Sequence, residues 1–254
     1  MSILRTRQLS REFRGFHAVD GVDLDVAEGS VHALVGPNGA GKTTLFNLLT
    51  GFLTPTSGSF EVAGQDATGR PPERIARLGV ARSFQITTLF PQLCVREHIE
   101  LALQSRSGLG WRFWRSRKLM DVYTGRAMQL LAEVDLAALS ESIADSLPYG
   151  RKRALELAIA LALDPKVLLL DEPTAGMGTE ERWRMIDMVR ELWERQKITV
   201  VFIEHDMDIV FKIAQTIRVL CYGRVLAEGT PSEIRGHPEV IAAYLGTSQE
   251  TRES

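Results

Sequence analysis

The sequence predicts an α/β fold, with an antiparallel β subdomain at its start and a helical subdomain inserted into a core of buried strands. Three observations lead to this prediction. Over residues 31–50, a glycine-rich loop lies between an apolar run typical of a buried strand and a segment with helical spacing. Two later apolar runs, 167–170 and 199–203, have the length and composition of buried strands. Residues 1–30 alternate apolar and polar positions, as half-buried strands do.

The remaining segments follow in order along the chain. Turn signals at Asp20-Gly21 and Glu28-Gly29 separate the alternating residues and predict antiparallel strands before the loop. Further strands are predicted at 59–63, 217–220 and 224–227. Helical spacing occurs at 95–103, 127–136 and 154–163, and a small helix is predicted at 238–245. The tail, 247–254, is polar and is predicted to lack regular structure.

Composition excludes several classes of protein. The 254 residues include 30 Lys and Arg against 32 Asp and Glu, so a net charge of −2 gives no field that would recruit nucleic acid. No apolar run approaches the about 18 residues that indicate a membrane span, and the first residues lack the apolar core of a secretory signal. Cys94 and Cys221 lie far apart without metal-site spacing, which favours small apolar residues in a reducing compartment such as the cytoplasm.

The strongest motif is the glycine-rich loop, here named the phosphate loop, with the sequence Gly36, Pro37, Asn38, Gly39, Ala40, Gly41, Lys42, Thr43, Thr44. Glycines allow backbone N–H groups to converge on an anion, and the helix that follows directs its positive end at phosphates. Lys42 can reach the terminal phosphates and the Thr43 hydroxyl can ligate Mg²⁺. The alternative is a glycine-rich turn with a surface lysine. The pattern predicts a nucleoside triphosphate site.

A second motif, Leu168 to Pro173, places two carboxylates after a buried strand. The carboxyl ends of parallel strands are where ligands bind in open α/β sheets. Asp171 is predicted to support Mg²⁺ through its water shell, and Glu172 to polarise the attacking water as a general base. The alternative is that both carboxylates only end a strand before the turn at Pro173.

Together with these motifs, Gln85, residues 147–150 and His205 occur in the order and spacing of ATP-binding-cassette (ABC) ATPases, a resemblance that covers residues 3–246. It implies a P-loop NTPase core. It also implies that Gln85 contacts Mg²⁺ and senses the γ-phosphate, and that His205 hydrogen-bonds the γ-phosphate. Catalysis would then rest on Glu172, His205 and Gln85, and the Mg²⁺ cofactor on Thr43, Gln85 and Asp171.

The same resemblance implies an aromatic platform for adenine upstream of the phosphate loop. Phe13 is the best match and Phe16 the alternative, with Val19 as a further contact of the nucleotide. Stacking of a base on such a ring is typically worth about 1–3 kcal/mol and tolerates different bases. A phenylalanine that only packs in a strand is the other interpretation of Phe13.

Two departures from the family pattern matter. The signature usually reads Leu-Ser-Gly-Gly-Gln, whereas this chain has the signature segment Leu147, Pro148, Tyr149, Gly150, Arg151. Pro148 removes the serine hydroxyl that would bond the γ-phosphate of ATP held by a partner chain, while Gly150 and the helix start remain as backbone donors. Residues 174–177 read Thr-Ala-Gly-Met where the family commonly has Ser-Ala-Leu-Asp, so the coupling of two ATP sites through that aspartate is in question.

Both departures, with the endings at 228–231 and 239–246, resemble one ATPase subunit of branched-chain amino-acid importers. The resemblance implies transport-coupled ATP hydrolysis at the cytoplasmic face of the membrane. It implies as partners integral permease subunits, a second ATPase subunit, identical or homologous, and indirectly an extracytoplasmic solute-binding protein, but no nucleic acid. The alternatives are a soluble cassette ATPase without a permease and a regulatory protein that binds ATP but barely hydrolyses it.

The resemblance also divides the single cassette domain. Residues 1–87 are predicted to hold the antiparallel β subdomain and the first part of the core, and 88–165 the helical subdomain with the signature segment. Residues 166–246 are predicted to complete the core and add a C-terminal helix. The aromatic and basic segment 111–118 is interpreted as part of the helical insert with a solvated basic face, or as a contact with lipid headgroups or permease loops.

Overall fold

The computed structural model describes residues 1–83, 89–107 and 117–243, with the backbone alone at 117–120. The strands are β1 (Ser2–Phe13), β2 (Phe16–Ala27), β3 (Val31–Val35), β4 (Ser57–Val62), β5 (Gln65–Asp66), β6 (Val80–Ser83), β7 (Val167–Asp171), β8 (Thr199–Ile203), β9 (Thr216–Cys221) and β10 (Arg224–Gly229). The helices are α1 (Lys42–Leu49), α2 (Pro72–Arg77), α3 (Val95–Ser107), α4 (Arg117–Glu133), α5 (Tyr149–Ala162), α6 (Thr179–Gln196), α7 (Met207–Ile213) and α8 (Pro231–Arg235), and residues 238–243 are also helical.

The strands form two sheets. The first has the order β2-β1-β4-β5 and is antiparallel, and the second has the order β10-β9-β3-β8-β7-β6. In the second sheet β9, β3, β8, β7 and β6 are parallel, and β10 adds an antiparallel edge. The carboxyl ends of the parallel strands therefore share one edge of the sheet, where α/β proteins bind ligands. The predicted α/β fold class is confirmed.

Alternation along the central strands explains why their sequences are apolar throughout. Leu168 and Leu170 on β7 pack into a core cluster with the helices, whereas Val167 and Leu169 pack into a second cluster with the antiparallel sheet and α1. Successive side chains of a strand point to opposite faces, so a sheet covered on both faces needs apolar residues at every position. The two clusters thus lie on the two faces of the six-stranded sheet.

Helices cover one face of that sheet. Helices α3, α4 and α5 pack on one another, and buried residues of α6 and α7 belong to the same core cluster. Helix α6 carries a narrow buried stripe of Met185, Ile186, Val189 and Leu192. Glu180 and Glu181 lie in its first turn, where the helix dipole favours negative charge, and it ends at Lys197 in a left-handed conformation (φ 56°). None of the helices in the described ranges is both long and apolar enough to cross a bilayer.

The order of predicted strands agrees with the structure, but the helices differ in extent and number. The helix predicted at 127–136 starts ten residues earlier and ends at Glu133, because Asp135 adopts a left-handed conformation (φ 56°) that breaks it. Helices α2, α6, α7 and α8 and strands β5 and β6 were not predicted from the sequence. The tail 247–254 lies outside the described residues.

Candidate nucleotide-binding and hydrolysis site

The phosphate loop leaves the carboxyl end of β3 and leads into α1, which begins at Lys42. Gly36 (φ 148°) and Gly41 (φ 101°) have backbone conformations that favour glycine. A Cβ atom on Gly36 would lie 2.1 Å from the Leu220 carbonyl oxygen, and one on Gly41 would lie 2.2 Å from the Ala18 carbonyl oxygen. Only glycine fits at these two positions, so the backbone can make the tight turn that directs N–H groups at an anion.

Lys42 is buried, with a relative exposure of 7%. Its Nζ donates to the carbonyl oxygens of Gly36 (2.7 Å) and Pro37 (2.9 Å), which holds the ammonium group inside the curve of the loop. Burial lowers the pKa of Lys42, and the charges of Glu172 and Asp171 act in the opposite sense. The two carboxylates of the second motif thus stabilise the charged form of the ammonium group. Thr43, next along the helix, is exposed.

Asp171 ends β7 and is almost fully buried, with a relative exposure of 1%. Its Oδ2 atom accepts a hydrogen bond from Nη2 of Arg82, which extends from the neighbouring strand β6. Nη1 of Arg82 donates to Oδ1 of Asn47 on α1 (2.6 Å). One arginine therefore links a carboxylate at the sheet edge to the helix that follows the phosphate loop.

Glu172 and His205 meet at the same edge. Nε2 of His205 donates to Oε1 of Glu172 over 2.9 Å. Glu172 has a left-handed backbone conformation (φ 48°), which costs a non-glycine residue about 1–3 kcal/mol. Its backbone N–H donates to the Ile203 carbonyl oxygen (3.0 Å), so the end of β7 is tied to the end of β8. The two predicted catalytic side chains are thus in direct contact.

The donor set at this edge fits a magnesium ion. Oδ1 of Asp171 is buried and has no hydrogen-bond partner within the described ranges, and such an atom is costly unless a cation or water meets it. The exposed Thr43 hydroxyl stands at the start of α1. Mg²⁺ is usually held by one or two protein oxygens together with substrate phosphates. These two residues match that requirement.

The β1–β2 hairpin carries the residues predicted to meet the base. Phe13 is 39% exposed and pairs across the hairpin with Phe16, which is 65% exposed. The Arg11 guanidinium lies 4.6 Å from the centre of the Phe13 ring. Val19 is fully buried in the core, so a contact of its side chain with a nucleotide would require it to leave the core. The aromatic pair remains accessible for stacking.

The signature segment lies at the start of α5. Pro148 is the residue before the helix, and no side chain caps that end. The Tyr149 hydroxyl accepts hydrogen bonds from Nε (3.0 Å) and Nη2 (2.8 Å) of Arg153. Nη1 of Arg151 donates to the carbonyl oxygen (2.6 Å) and a carboxylate oxygen (2.9 Å) of Asp135. Leu147 is buried beneath the segment, while Tyr149 is 42% exposed.

Some predicted residues cannot be placed. Gln85 lies in 84–88, outside the described residues, and so do 111–116 of the aromatic and basic segment 111–118. The structure describes only the backbone of Arg117 and Lys118. The proposed roles of Gln85 and of that segment stay predictions.

Sequence reasoning missed two residues of the site. Arg82 carries a charge inside a short buried strand, and a charge in such a strand was the available signal. Glu204 follows the apolar run of β8 directly and is 4% exposed, although it precedes His205 in a segment that was already singled out. A glutamate next to a predicted site residue, at a buried strand end, was the signal there.

Comparison with known proteins identifies the family. A family model described as ABC transporter matches residues 19–175, more than half of the chain. The chain belongs to the ABC transporter family. A second family model, described as branched-chain amino acid ATP-binding cassette transporter, matches residues 224–250 of this cassette. The resemblance seen in the sequence motifs is confirmed, and with it the assignment of the chain as an ATPase.

Individual relatives extend over nearly the whole cassette. The branched-chain amino acid transport ATP-binding protein BraF of Pseudomonas aeruginosa is 41% identical over 96% of this chain and 98% of its own length. LivG of Escherichia coli, described in the same words, is 38% identical over 96% of this chain and 98% of its own length. A nucleotide-free ATP-binding cassette from an ABC transporter has a TM-score of 0.84 and 29% identity, covering 96% of this chain and 99% of that structure. A cassette in its ADP conformation has a TM-score of 0.84 and 30% identity, covering 97% of this chain and 99% of that structure.

Proposed function

We propose that this ABC ATPase hydrolyses ATP to power import of branched-chain or related amino acids through a membrane permease. The observation that carries the enzymatic part is the hydrogen bond between Glu172 and His205 at the sheet edge that also holds the phosphate loop. The names of BraF and LivG, together with the match at residues 224–250, support the transport part.

The chemistry assigns one task to each group. The phosphate loop and Lys42 bind the phosphates of ATP, with Lys42 transferring its hydrogen bonds from the loop carbonyls to the terminal phosphates. Glu172 accepts a proton from the attacking water. The Nε2–H of His205 orients that carboxylate before ATP binds and donates to the γ-phosphate once ATP is bound. Phe13 stacks on the base. Catalysis of this kind depends on positioning and charge stabilisation more than on covalent chemistry.

Thr43, Asp171 and Gln85 would hold Mg²⁺, the last as a prediction from the sequence. Mg²⁺ bound with ATP would neutralise the charge that develops on the transferred phosphoryl group. Asp171 offers its unpartnered Oδ1 atom while Oδ2 stays on Arg82. The carboxylate therefore keeps a fixed orientation whether or not the metal is present.

The site is completed by a second ATPase subunit. Its signature segment, residues 147–151 in this chain, would close over the ATP held by the phosphate loop, through Gly150 and the first N–H groups of α5. Pro148 supplies no hydroxyl, so the contact would rest on backbone donors and on Arg151. The competent unit is then a dimer, homologous or identical, on the cytoplasmic face of the membrane, with permease subunits and an external solute-binding protein.

The proposed cassette keeps the division predicted from the sequence. Residues 1–87 and 166–246 form the β subdomain and the core, and 88–165 form the helical subdomain. The elements observed in the middle range are α3, α4 and α5, which pack on one another. This grouping supports the proposed helical unit.

The substitution Glu172→Gln tests the enzymatic proposal. It keeps the shape of the side chain but removes the base, so we expect turnover to fall by about 10²–10⁴-fold while ATP affinity persists and dimers accumulate. Phosphate release, nucleotide titration and size-exclusion chromatography measure these three quantities. If the unsubstituted chain, assembled with its partners, hydrolyses no more ATP than this variant, hydrolysis is refuted.

Reconstitution tests the transport proposal. The proteins that co-purify with the chain from membranes are inserted into vesicles, and uptake of radiolabelled leucine, isoleucine and valine is measured with ATP inside or outside. We expect uptake only with ATP on the side of the cassette, and none with Glu172→Gln. ATP-driven uptake of a solute of another class, with these amino acids excluded, would overturn the assignment of the solute.

A further inference from the structure

We propose that Glu204 is a positioning residue that holds Glu172 and His205 in register, an inference that rests on the proposed hydrolysis of ATP. Glu204 follows β8 directly and is 4% exposed. Its carboxylate accepts three hydrogen bonds: Oε1 from the N–H (3.1 Å) and hydroxyl (2.6 Å) of Thr174, and Oε2 from the N–H of His205 (3.1 Å). One buried side chain is therefore bonded to both segments that carry the proposed catalytic pair.

The position of these bonds explains their effect. Strands β7 and β8 pair as far as Asp171 and Ile203, and the Glu172 N–H to Ile203 carbonyl bond follows at the sheet edge. Thr174 lies two residues after Glu172, and His205 lies next to Glu204. The carboxylate thus continues the link between the segments that follow β7 and β8 beyond the ladder of the sheet, at the level where the side chains of Glu172 and His205 meet.

The backbone of Glu172 needs such support. A left-handed conformation (φ 48°) at a glutamate persists only when the surrounding structure determines it. The ring of Pro173 fixes the φ angle of the residue that follows Glu172. The hydrogen bond from the Thr174 N–H to Glu204 then holds the backbone of the residue after that. Without the anchor, Glu172 could relax to an ordinary conformation, and its carboxylate would then leave Nε2 of His205.

The chemistry calls for a carboxylate and not an amide. Burial of an ionised carboxylate is costly unless hydrogen bonds satisfy it, and all three partners here are donors. Glutamine at 204 could still accept from Thr174 with its one oxygen, but its NH₂ group would face the N–H of His205. The substitution therefore breaks the bond on the His205 side while the volume of the side chain is retained.

The same anchor bears on the second departure from the family pattern. Thr174 begins the segment 174–177, which lacks the usual aspartate. A Cβ atom on Gly176, two residues further, would lie 3.3 Å from the Tyr149 ring, so this turn packs against the signature segment of its own subunit. Glu204 provides a carboxylate that fixes the turn from the side of His205.

Glu204→Gln in the full-length chain tests the inference. We expect kcat for ATP to fall by about tenfold to 100-fold, as misplacement of reacting groups does, with KM and ATP affinity within about twofold of the unsubstituted values. Thr174→Val should act in the same direction but less, and the double variant should lose less than the product of the two. Non-additivity is the mark of residues that share one interaction.

A spectroscopic measurement separates positioning from loss of stability. In the chain labelled with ¹⁵N-histidine, five histidines give ring signals, and His205→Gln assigns one of them. We expect Glu204→Gln to shift or broaden the Nε2–H signal of His205, which reports its bond to Glu172. Glu228→Gln is the control, because it removes a carboxylate, 44% exposed, from the buried Arg218 (Nη2 at 2.7 Å) on the edge strands β9 and β10. The control should lower the melting temperature but leave kcat and the His205 signal unchanged.

The outcomes are distinct. If Glu204→Gln matches Glu228→Gln, with a lower melting temperature but an unchanged His205 signal and kcat, the inference is overturned. If the unsubstituted chain shows no turnover above Glu172→Gln while Glu204→Gln still displaces the His205 signal, the proposed hydrolysis fails and the positioning role stands. Should Glu204→Gln not fold, Thr174→Val decides by the same two measurements, since it retains the carboxylate and removes one donor.

Discussion

The phosphate side of the site and the signature segment differ in how their polar groups are held. On the phosphate side, Lys42, Asp171 and Glu172 each bond to another group of the same edge, through the loop carbonyls, Arg82 and His205. In the signature segment the bonds go to residues outside the segment, since Tyr149 accepts from Arg153 and Arg151 donates to Asp135. The polar groups of the phosphate side are therefore bonded at one edge of the sheet, whereas those of the signature segment are bonded to residues outside that segment.

The polar side chains of the two regions also differ in their exposure to solvent. Lys42 and Asp171 are 7% and 1% exposed, whereas Tyr149 is 42% exposed. A preorganised, buried cluster gives strong electrostatic interactions, because its groups need not reorganise when a charged ligand arrives. An exposed helix start with free N–H groups presents donors outward. This difference in burial supports the proposal that the phosphate side serves the nucleotide of its own chain and the signature segment the nucleotide of a second subunit.

The largest expected effect is that of a substitution at Arg82, on the phosphate side of the site. Arg82→Met leaves the carboxylate of Asp171 buried without its partner, and loss of one member of a buried ion pair typically costs about 3–5 kcal/mol. We expect the free energy of unfolding, measured by urea titration without Mg²⁺, to fall by that amount. Mg²⁺ with ATP should recover part of the loss in this variant, because the cation takes over the compensation of the charge.

The signature segment supplies the matched control. Arg151 also pairs with an aspartate, Asp135, but the two side chains are 38% and 83% exposed. Exposed ion pairs contribute about 0–1 kcal/mol, so Arg151→Met should change the free energy of unfolding by no more than that. Equal losses in the two variants would show that the regions do not differ in the way described.

A pair of lysines separates the regions by ligand affinity. Lys42→Ala removes charge-assisted hydrogen bonds, each worth about 1.5–3 kcal/mol, so the affinity of the isolated chain for ATP should fall by roughly tenfold to 100-fold. Lys152, in the first turn of α5, pairs with Asp145 and is 24% exposed. Lys152→Ala should leave the ATP affinity of the isolated chain unchanged. Fluorescence titration with a labelled ATP analogue measures both, and unchanged affinity in Lys42→Ala would refute the phosphate-loop assignment.

How far the sequence predicts a site residue depends on whether a local motif or a distant partner determines its role. Residues of the phosphate loop and the pair Asp171 and Glu172 were predictable, because phosphate and metal chemistry demands particular residue types at fixed spacing after a strand. His205 was identified by its spacing from those motifs. Arg82 and Glu204 act on partners 89 and 30 residues away, and which partners they meet depends on the order of strands in the sheet.

Helix α6 shows the limit for the fold. Its 18 residues, Thr179–Gln196, are mostly polar, and only Met185, Ile186, Val189 and Leu192 are buried. A stripe this narrow gives a weak periodic signal, although the packing of α6 on the sheet is decisive for its stability. Apolar strands such as β7 and β8 were predicted well because every one of their residues is buried.

The smallest expected effect on stability is that of serine in place of Pro148, in the signature segment. Pro148 precedes α5 (φ −55°) without a side-chain cap, and serine at this position would supply a hydroxyl. A serine cap contributes about 0.5–2 kcal/mol, whereas loss of proline costs about 0.4–1 kcal/mol through the entropy of the unfolded chain. The two contributions largely cancel, so the free energy of unfolding should change by less than about 1 kcal/mol.

Turnover should nevertheless respond, because position 148 is exposed and a hydroxyl that accepts the cap bond still has a hydrogen to donate to the ATP of a second subunit. We expect Pro148→Ser to raise the rate of ATP hydrolysis of the assembled protein by up to about tenfold, the equivalent of one additional hydrogen bond of about 1.4 kcal/mol in the transition state. ATP affinity of the isolated chain should not change. A rate increase that persists at dilutions where the subunits are separate would contradict action across the dimer, because the signature segment would then serve the ATP of its own chain.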